Sequence, residues 1–115
     1  MVMLTPARRV ASFGEIERAG DYWLTAVTYP AQPDAGGRSG DVPEVLFLLP
    51  VHRGQDKYDH ATPGSGIHGV TSPPWTFREC PDGSLEIRPS IACGREPGGE
   101  YWHGYLDEGN TWRQV

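Results

Sequence analysis

Residues 74–91 read PWTFRECPDGSLEIRPSI, and this stretch decides the fold class. The tripeptide at 81–83, Pro-Asp-Gly, is typical of a hairpin loop in which a type I turn precedes a glycine in the left-handed region. A loop of that length places Phe77 opposite Ile87, so that the apolar residues of both strands share one face. Turn chemistry and side-chain parity agree, and the sequence predicts an antiparallel hairpin here.

A second hairpin is predicted over the last residues, 99–115, which read GEYWHGYLDEGNTWRQV. With 107–109 as the loop, Leu106 faces Asn110, and Trp112 lies across from Gly104, whose bare backbone a large ring can cover. A two-residue turn would exchange this pairing. In the first register Trp102, Leu106 and Trp112 form one face of the hairpin.

The opposite face of this hairpin is the candidate binding surface, and its members are aromatic, imidazole and guanidinium side chains: Tyr101, His103, Tyr105 and Arg113. Aromatic residues and Arg are enriched in the energetically important parts of binding interfaces. His103 has the chemistry of a general base, a metal ligand or a hydrogen-bonding contact. The alternative is that this face packs under another element and that a backbone carbonyl satisfies His103.

The remaining chain fits a single β domain spanning 1–115. Alternating residues from Asp21 to Pro30 predict a strand, and the apolar run EVLFLLPV at 44–51 predicts a central strand buried on both faces. Flexible loops are expected at about 31–43 and 52–74.

The segment between Ser12 and Gly20 predicts one short N-terminal helix, because Glu15 completes a capping box and the glycine supplies a C-cap. The expected architecture is therefore mainly β. It is a small twisted barrel or sandwich of five to seven mostly antiparallel strands with that helix.

The composition of the chain argues against some classes of function. Fifteen acidic and ten basic residues give a net charge of −5 without a basic stripe, so nucleic acid is an unfavoured partner. No apolar run approaches the ~20 residues of a membrane span. The start of the chain also lacks the pattern of a secretory signal, so the sequence predicts a cytoplasmic protein.

Two sets of residues could carry metal or redox chemistry. His52, His60, His68 and Asp59 lie in or beside the second predicted loop, and imidazole with carboxylate suits Zn²⁺ or another divalent metal. Their gaps do not match a regular metal-ligand spacing, and solvated loop histidines are the alternative. Cys80 and Cys93 should not form a disulfide, because the first hairpin separates them by about 30 Å at the usual strand rise.

The C-terminal motifs PWTF, DGSLEIRPSI and GEYWHGYLDEG resemble those of a family of small uncharacterised proteins of bacteriophages and bacteria. The matching positions are Trp75, Leu85, Pro89, Ser90, Ile91, Trp102, His103 and Gly104. The resemblance implies a phage origin, a β fold and, from the cysteine-rich turn of those relatives, a zinc site. This chain has His52 and no cysteine at that turn. It also has Glu100-Tyr101 where those relatives carry a cysteine before the terminal His.

The leading hypothesis is a non-enzymatic, phage-encoded accessory protein without a cofactor. Its aromatic face would engage a host or virion component, or a second copy in a homo-oligomer. Its expected location is the host cytoplasm, with the virion as an alternative. Two further hypotheses are a small metal-dependent hydrolase using the histidines and Asp59, and a small-ligand sponge in which Trp or Tyr stacks on a nucleotide base.

Overall fold

The computed structural model describes residues 3–29, 40–52, 66–93 and 101–115. These ranges are mainly β, as predicted, and contain nine strands and a single 3₁₀ turn at Phe13–Glu15. The strands are β1 Met3–Pro6, β2 Arg8–Arg9, β3 Asp21–Tyr29, β4 Gly40–Leu48, β5 Ile67–Thr71, β6 Thr76–Glu79, β7 Leu85–Cys93, β8 Trp102–Asp107 and β9 Thr111–Gln114.

The strands form two sheets. One has five strands in the order β1-β9-β8-β7-β6, and the other has four in the order β2-β3-β4-β5. All pairings are antiparallel except that of β2 with β3. The chain passes from the first sheet to the second between Pro6 and Arg8. Within the described ranges each sheet keeps two edges, so the barrel among the predicted architectures is wrong.

One hydrophobic core joins the two sheets. Phe47 of β4 lies 4.9 Å from Trp112 of β9, measured between ring centroids, and Trp102 meets Trp112 edge-on at 5.4 Å. Val45 and Leu106 belong to the same buried cluster. Because these rings come from both sheets, the inner faces pack directly on each other, as in a sandwich.

Hydrogen bonds inside this core tie the sheets together. Trp112 Nε1 donates to the Gly20 carbonyl at 2.8 Å. The Tyr22 hydroxyl donates to Asn110 Oδ1 and accepts from the Leu85 amide at 3.2 Å. Burial raises the pKa of Tyr22. Each polar atom that these rings carry inward therefore has a partner, which keeps their burial favourable.

Asp21 is a buried carboxylate at the start of β3. It accepts hydrogen bonds from Arg8 Nε and Nη2, at 3.1 and 2.7 Å, and from the amides of Glu17 and Arg18, each at 2.9 Å. Burial alone would raise the pKa of Asp21, but these bonds outweigh it and the pKa is lowered. The ion pair fixes the two-residue strand β2 beside β3.

The first predicted hairpin is confirmed. Phe77 pairs with Ile87, and the amide of Gly83 donates to the Cys80 carbonyl at 3.0 Å. Gly83 has φ +86°, the left-handed conformation that the turn requires and that glycine adopts at little cost.

In the second hairpin the predicted loop was wrong by one position. Leu106 pairs with Trp112 rather than Asn110, and the loop spans 108–110. Gly109 and Asn110 both have positive φ there, at 91° and 56°. The pairing moves by two residues, an even number, so every side chain keeps its predicted face.

Gly104 faces the core opposite Gln114, not Trp112. A Cβ at Gly104 would lie 2.1 Å from the Arg113 carbonyl oxygen and 2.8 Å from the Trp102 ring. The glycine is therefore needed for close approach of backbone and ring, although the ring is not the one expected.

The predicted N-terminal helix is wrong. Phe13–Glu15 forms one 3₁₀ turn, and the Ser12 side chain caps no backbone amide. The Glu15 carboxylate instead accepts from the Ala11 amide at 3.0 Å and from Ser12 Oγ at 3.1 Å. Neither backbone contact of a capping box between Ser12 and Glu15 has formed, and Gly14 and the shortness of the segment leave too little to propagate a helix.

The strand count and the loop bounds also change. The nine strands of the described ranges exceed the predicted five to seven. Residues 40–43 belong to β4 and 67–71 to β5, where loops were expected. Residues 31–39 and 53–65 of those loops lie outside the described residues, whereas 52, 66 and 72–74 are described and belong to no strand. The predicted strand is confirmed as part of β4, an inner strand of its sheet in which Val45, Phe47 and Leu48 are buried. Burial on both faces was wrong, because Glu44 and Leu46, on the face opposite Val45 and Phe47, are only half-buried.

Candidate binding surface on the five-stranded sheet

The outer face of the five-stranded sheet is the side turned away from the core, and it carries the predicted binding residues. His103 and Tyr105 lie on β8, and Arg113 lies directly opposite Tyr105 on β9. All three are half-buried, whereas Tyr101, just before β8, is exposed. The structure thus brings the predicted residues onto one face, as the alternation required.

Two guanidinium groups lie over the Tyr105 ring. The central carbon of Arg113 is 4.5 Å from the ring centroid, and that of Arg88, on β7, is 4.7 Å from it. Both distances are well within the range of cation–π attraction. The aromatic ring on the middle strand therefore holds a cation from each neighbouring strand.

Asp107 joins the two guanidinium groups. Arg88 Nη2 donates to Asp107 Oδ1 at 2.6 Å, and Arg113 Nε donates to Oδ2 at 2.7 Å. Partial burial disfavours the carboxylate, but the hydrogen bonds from Arg113 and Arg88 outweigh it and lower the pKa of Asp107. The hydrogen bond to Asp107 in turn raises the pKa of Arg113. The group is a fixed, fully charged cluster at neutral pH.

Arg88 was not among the predicted site residues. Its Nη1 donates to the carbonyls of Ile87 at 2.8 Å and Leu106 at 3.1 Å, next to the register shift between β7 and β8. Successive side chains of a strand point to opposite faces, so the inward position of Ile87 in the first hairpin already predicted an outward position for Arg88. The pairing of β7 with β8 was the missing information, because it brings Arg88 beside Tyr105.

His103 has a hydroxyl partner in place of the backbone carbonyl considered from the sequence. Its Nε2 lies 2.9 Å from Ser90 Oγ on β7. A serine beside a histidine is also the start of a nucleophile and base pair, which needs a third group to orient the imidazole. Among the described residues no carboxylate contacts His103, so the pair has the geometry of a structural hydrogen bond.

An open depression of about 590 Å³ adjoins the Tyr105 cluster. Its lining comes from strands β6, β7, β8 and β9: Thr76, Arg88, Pro89, Tyr105 and Arg113. Both charged residues of this lining are arginines. A donor-rich hollow with an aromatic wall is suited to bind an anionic group.

The same outer face carries exposed apolar side chains on β1 and near the ends of β8 and β9. Leu4 pairs with Arg113 and is 64% exposed. Val115, whose amide donates to the His103 carbonyl, is 56% exposed, and Tyr101 is 51% exposed. Met3, 59% exposed, points to the opposite side of β1. Clustering of large apolar residues on one exposed face is typical of an interaction surface.

The predicted metal ligands are only partly within the described residues. His60 and Asp59 lie outside them. His68 on β5 lies 6.0 Å from the Phe47 ring, and His52 lies against Gly66. Neither histidine falls within a group of three or more donor side chains in the described ranges.

Among the described residues, one group of three donor side chains does occur, at the turns of the two C-terminal hairpins. Donor atoms of Cys80, Asp82 and Glu108 lie within 4.8 Å of one another. Asp82 Oδ1 already accepts from the amide and the hydroxyl of Ser84, which shapes the turn. Cys80 and Cys93 form no disulfide, as predicted.

No helix in the described ranges is long and apolar enough to cross a membrane. Comparisons of the chain with protein-family models, with curated proteins and with solved structures found no match.

Proposed function

We propose that this chain is a non-enzymatic binding protein that engages a protein partner through the outer face of its five-stranded sheet. The observation that carries the proposal is the arrangement of Leu4, Tyr101 and Val115. These are three of the four large apolar residues that are exposed in the described part of the chain, and they share the outer face with Tyr105 and Arg113. An apolar patch bordered by ordered charges is the usual form of a protein interface.

Binding is favoured over catalysis because the carboxylate, the imidazole and the serine hydroxyl of this face are already paired with neighbouring side chains. Asp107 holds both arginines, and Ser90 holds His103. A general base or nucleophile needs an activating neighbour and access to substrate. The paired groups instead hold their side chains in fixed positions, which lowers the entropy lost when a partner binds.

The partner that we propose is a host or virion protein. The support is the resemblance of the two C-terminal hairpins to those of small phage proteins, together with the position of the exposed patch on one of these hairpins. Self-association is the competing occupant of the same face, because the outer face carries cations and anions that could pair across a two-fold axis.

A matched pair of substitutions on β1 tests the proposal. Leu4→Asp places a charge on the outer face, whereas Met3→Asp places the same charge at an equally exposed neighbour that points to the other side. Tagged variants would be used to capture proteins from host lysate and from disrupted virions, with mass spectrometry as the readout. We expect a specific protein to be retained by wild type and Met3→Asp and lost with Leu4→Asp and with Tyr101→Asp.

Sedimentation velocity on the same variants separates the two occupants. A dimer in wild type that Leu4→Asp dissociates would identify a second copy of this chain as the occupant. A captured protein that is indifferent to both outer-face substitutions would contradict the proposed surface. Circular dichroism on each variant confirms that the fold is retained.

A further inference from the structure

We propose that the depression beside Tyr105 is a binding site for the phosphate group of a phosphate ester. It lies between β6 and β9 on the outer face, lined by Thr76, Arg88, Pro89, Tyr105 and Arg113. This inference goes beyond the partner surface proposed above, because it depends on a polar hollow rather than on exposed apolar side chains, and on a different class of contact.

The first support is a set of hydrogen-bond donors without internal partners. Arg113 uses only its Nε in a hydrogen bond within the described residues, and its two terminal nitrogens remain available. The hydroxyls of Thr76 and Tyr105 likewise have no hydrogen bond in that part of the chain. These three residues come from three different strands and line one hollow. Donor-bearing residues that line a common hollow suit an acceptor-rich ligand.

The second support is the arrangement of charge. The depression is lined by two guanidinium groups and by no carboxylate. Asp107 contacts both arginines but is not part of the lining. Glu86 is 3.7 Å from Arg88 Nη2 but makes its closer contact, at 3.1 Å, with Arg78. The charged residues that line the hollow are therefore the cations of the cluster, and the carboxylates that pair with them lie outside the lining.

The third support is that the cations are already held in position. Arg88 is fixed by two backbone carbonyls and by Asp107, and Arg113 by Asp107 and the Tyr105 ring. An anion binding here would not have to order long, mobile side chains, which is the main cost of surface ion pairing.

The donor geometry favours phosphate over carboxylate. A carboxylate offers two oxygens in one plane and fits a single guanidinium fork. Thr76, Tyr105 and Arg113 approach from β6, β8 and β9, and a tetrahedral group directs its oxygens toward such separated donors. The two buried tryptophans of the second hairpin, Trp102 and Trp112, cannot stack on a base. Recognition is therefore assigned to the phosphate end of the ligand.

The test is a titration of ¹⁵N-labelled protein followed by two-dimensional NMR. The ligands are inorganic phosphate, a nucleoside monophosphate and a phosphoserine peptide, with acetate and chloride at matched ionic strength. We expect saturable shifts for the amides of Thr76 and Tyr105 and for the Arg113 side chain with the phosphate ligands only. A nucleoside monophosphate that binds more tightly identifies a small-molecule source, and tighter binding of the peptide identifies a modified protein.

Three conservative variants remove one donor each. Tyr105→Phe and Thr76→Val keep the size of the side chain, and each should weaken phosphate binding about threefold to tenfold, the usual effect of one hydrogen bond. Arg113→Gln should weaken it by about tenfold or more, because a charge-assisted donor is lost. Tyr101→Phe and Arg78→Gln are the matched controls on the same sheet, and neither residue lines the hollow.

Several outcomes would overturn the assignment. They are shifts that are equal for phosphate, acetate and chloride, no saturation, or equal affinity in Arg113→Gln and Arg78→Gln. Tyr101→Asp, at a residue that does not line the hollow, should leave phosphate affinity unchanged while it abolishes partner capture. A failure of the phosphate site is thus distinguishable from a failure of the proposed partner surface.

Discussion

The two faces of the β8–β9 hairpin are built from alternating residues of the same short segment, yet they follow different physical rules. On the inner face Trp102, Leu106 and Trp112 are at most 1% exposed and pack by shape against the other sheet. On the outer face Tyr105 and Arg113 are half-buried and are held by charge and hydrogen bonds. One face of the hairpin therefore packs in the core, and the other carries the proposed recognition surface.

Burial and pairing leave different residues of the hairpin available for function. Inner-face side chains use their whole surface in the core, and a partner cannot reach them. Outer-face side chains satisfy only part of their bonding capacity internally, as Arg113 does through Nε alone. Recognition should therefore depend on the outer face, and the free energy of unfolding should depend mainly on the inner face.

The largest expected effect comes from truncating the central ring. Trp112→Ala should lower the free energy of unfolding by about 3–5 kcal/mol, the usual cost of emptying a buried aromatic site. The substitution also leaves the Gly20 carbonyl without its donor. Tyr105→Ala, on the outer face of the same hairpin, is the matched control and should lower the free energy of unfolding by less than half as much. Urea denaturation of both variants measures the difference, and equal costs would contradict the division between the two faces.

The next largest effect is expected at Gly104, where the backbones of β8 and β9 approach each other closely. Gly104→Ala should cost about 1–3 kcal/mol, because the new methyl group would press on the Arg113 carbonyl and the Trp102 ring in an already filled core. Gly69→Ala on β5 is the control. The nearest atoms there are the ends of the Glu44 and Leu46 side chains, at 3.0 Å, which can move aside. Thermal unfolding of the two variants compares them, and an unaffected Gly104→Ala protein would mean that β8 and β9 approach less closely.

Local patterns predicted the features that depend on parity and turn chemistry. Pro81-Asp82-Gly83 determines its own turn, so Phe77 and Ile87 could be paired from the sequence. In the second hairpin glycine and asparagine can both adopt positive φ, and the sequence alone did not locate the loop. Each side chain still lies on its predicted face, because the pairing moved by an even number of residues.

Features that depend on distant pairing could not be predicted in the same way. Arg88 becomes a neighbour of Tyr105 only through the alignment of β7 with β8, which no local pattern contains. Strand β5 is short and contains a glycine, and its pairing with the buried β4 supplies what its own propensity lacks. The sequence therefore predicted the face on which the candidate site lies, but it did not predict the cation cluster on that face.

The smallest expected effect concerns His103, the residue whose chemistry the sequence left open. If its bond to Ser90 is structural and half-exposed, Ser90→Ala should lower the free energy of unfolding by about 0.5–1.5 kcal/mol, the net value of a typical hydrogen bond. His103→Gln should cost less, because the glutamine amide can still reach the hydroxyl. A double-mutant cycle in urea measures the coupling between the two positions directly. A coupling near zero would mean that the hydroxyl and the imidazole do not stabilise each other in solution. His103 would then be available for recognition together with Tyr105 and Arg113, and the outer face would contribute even less to stability than its hydrogen bonds indicate.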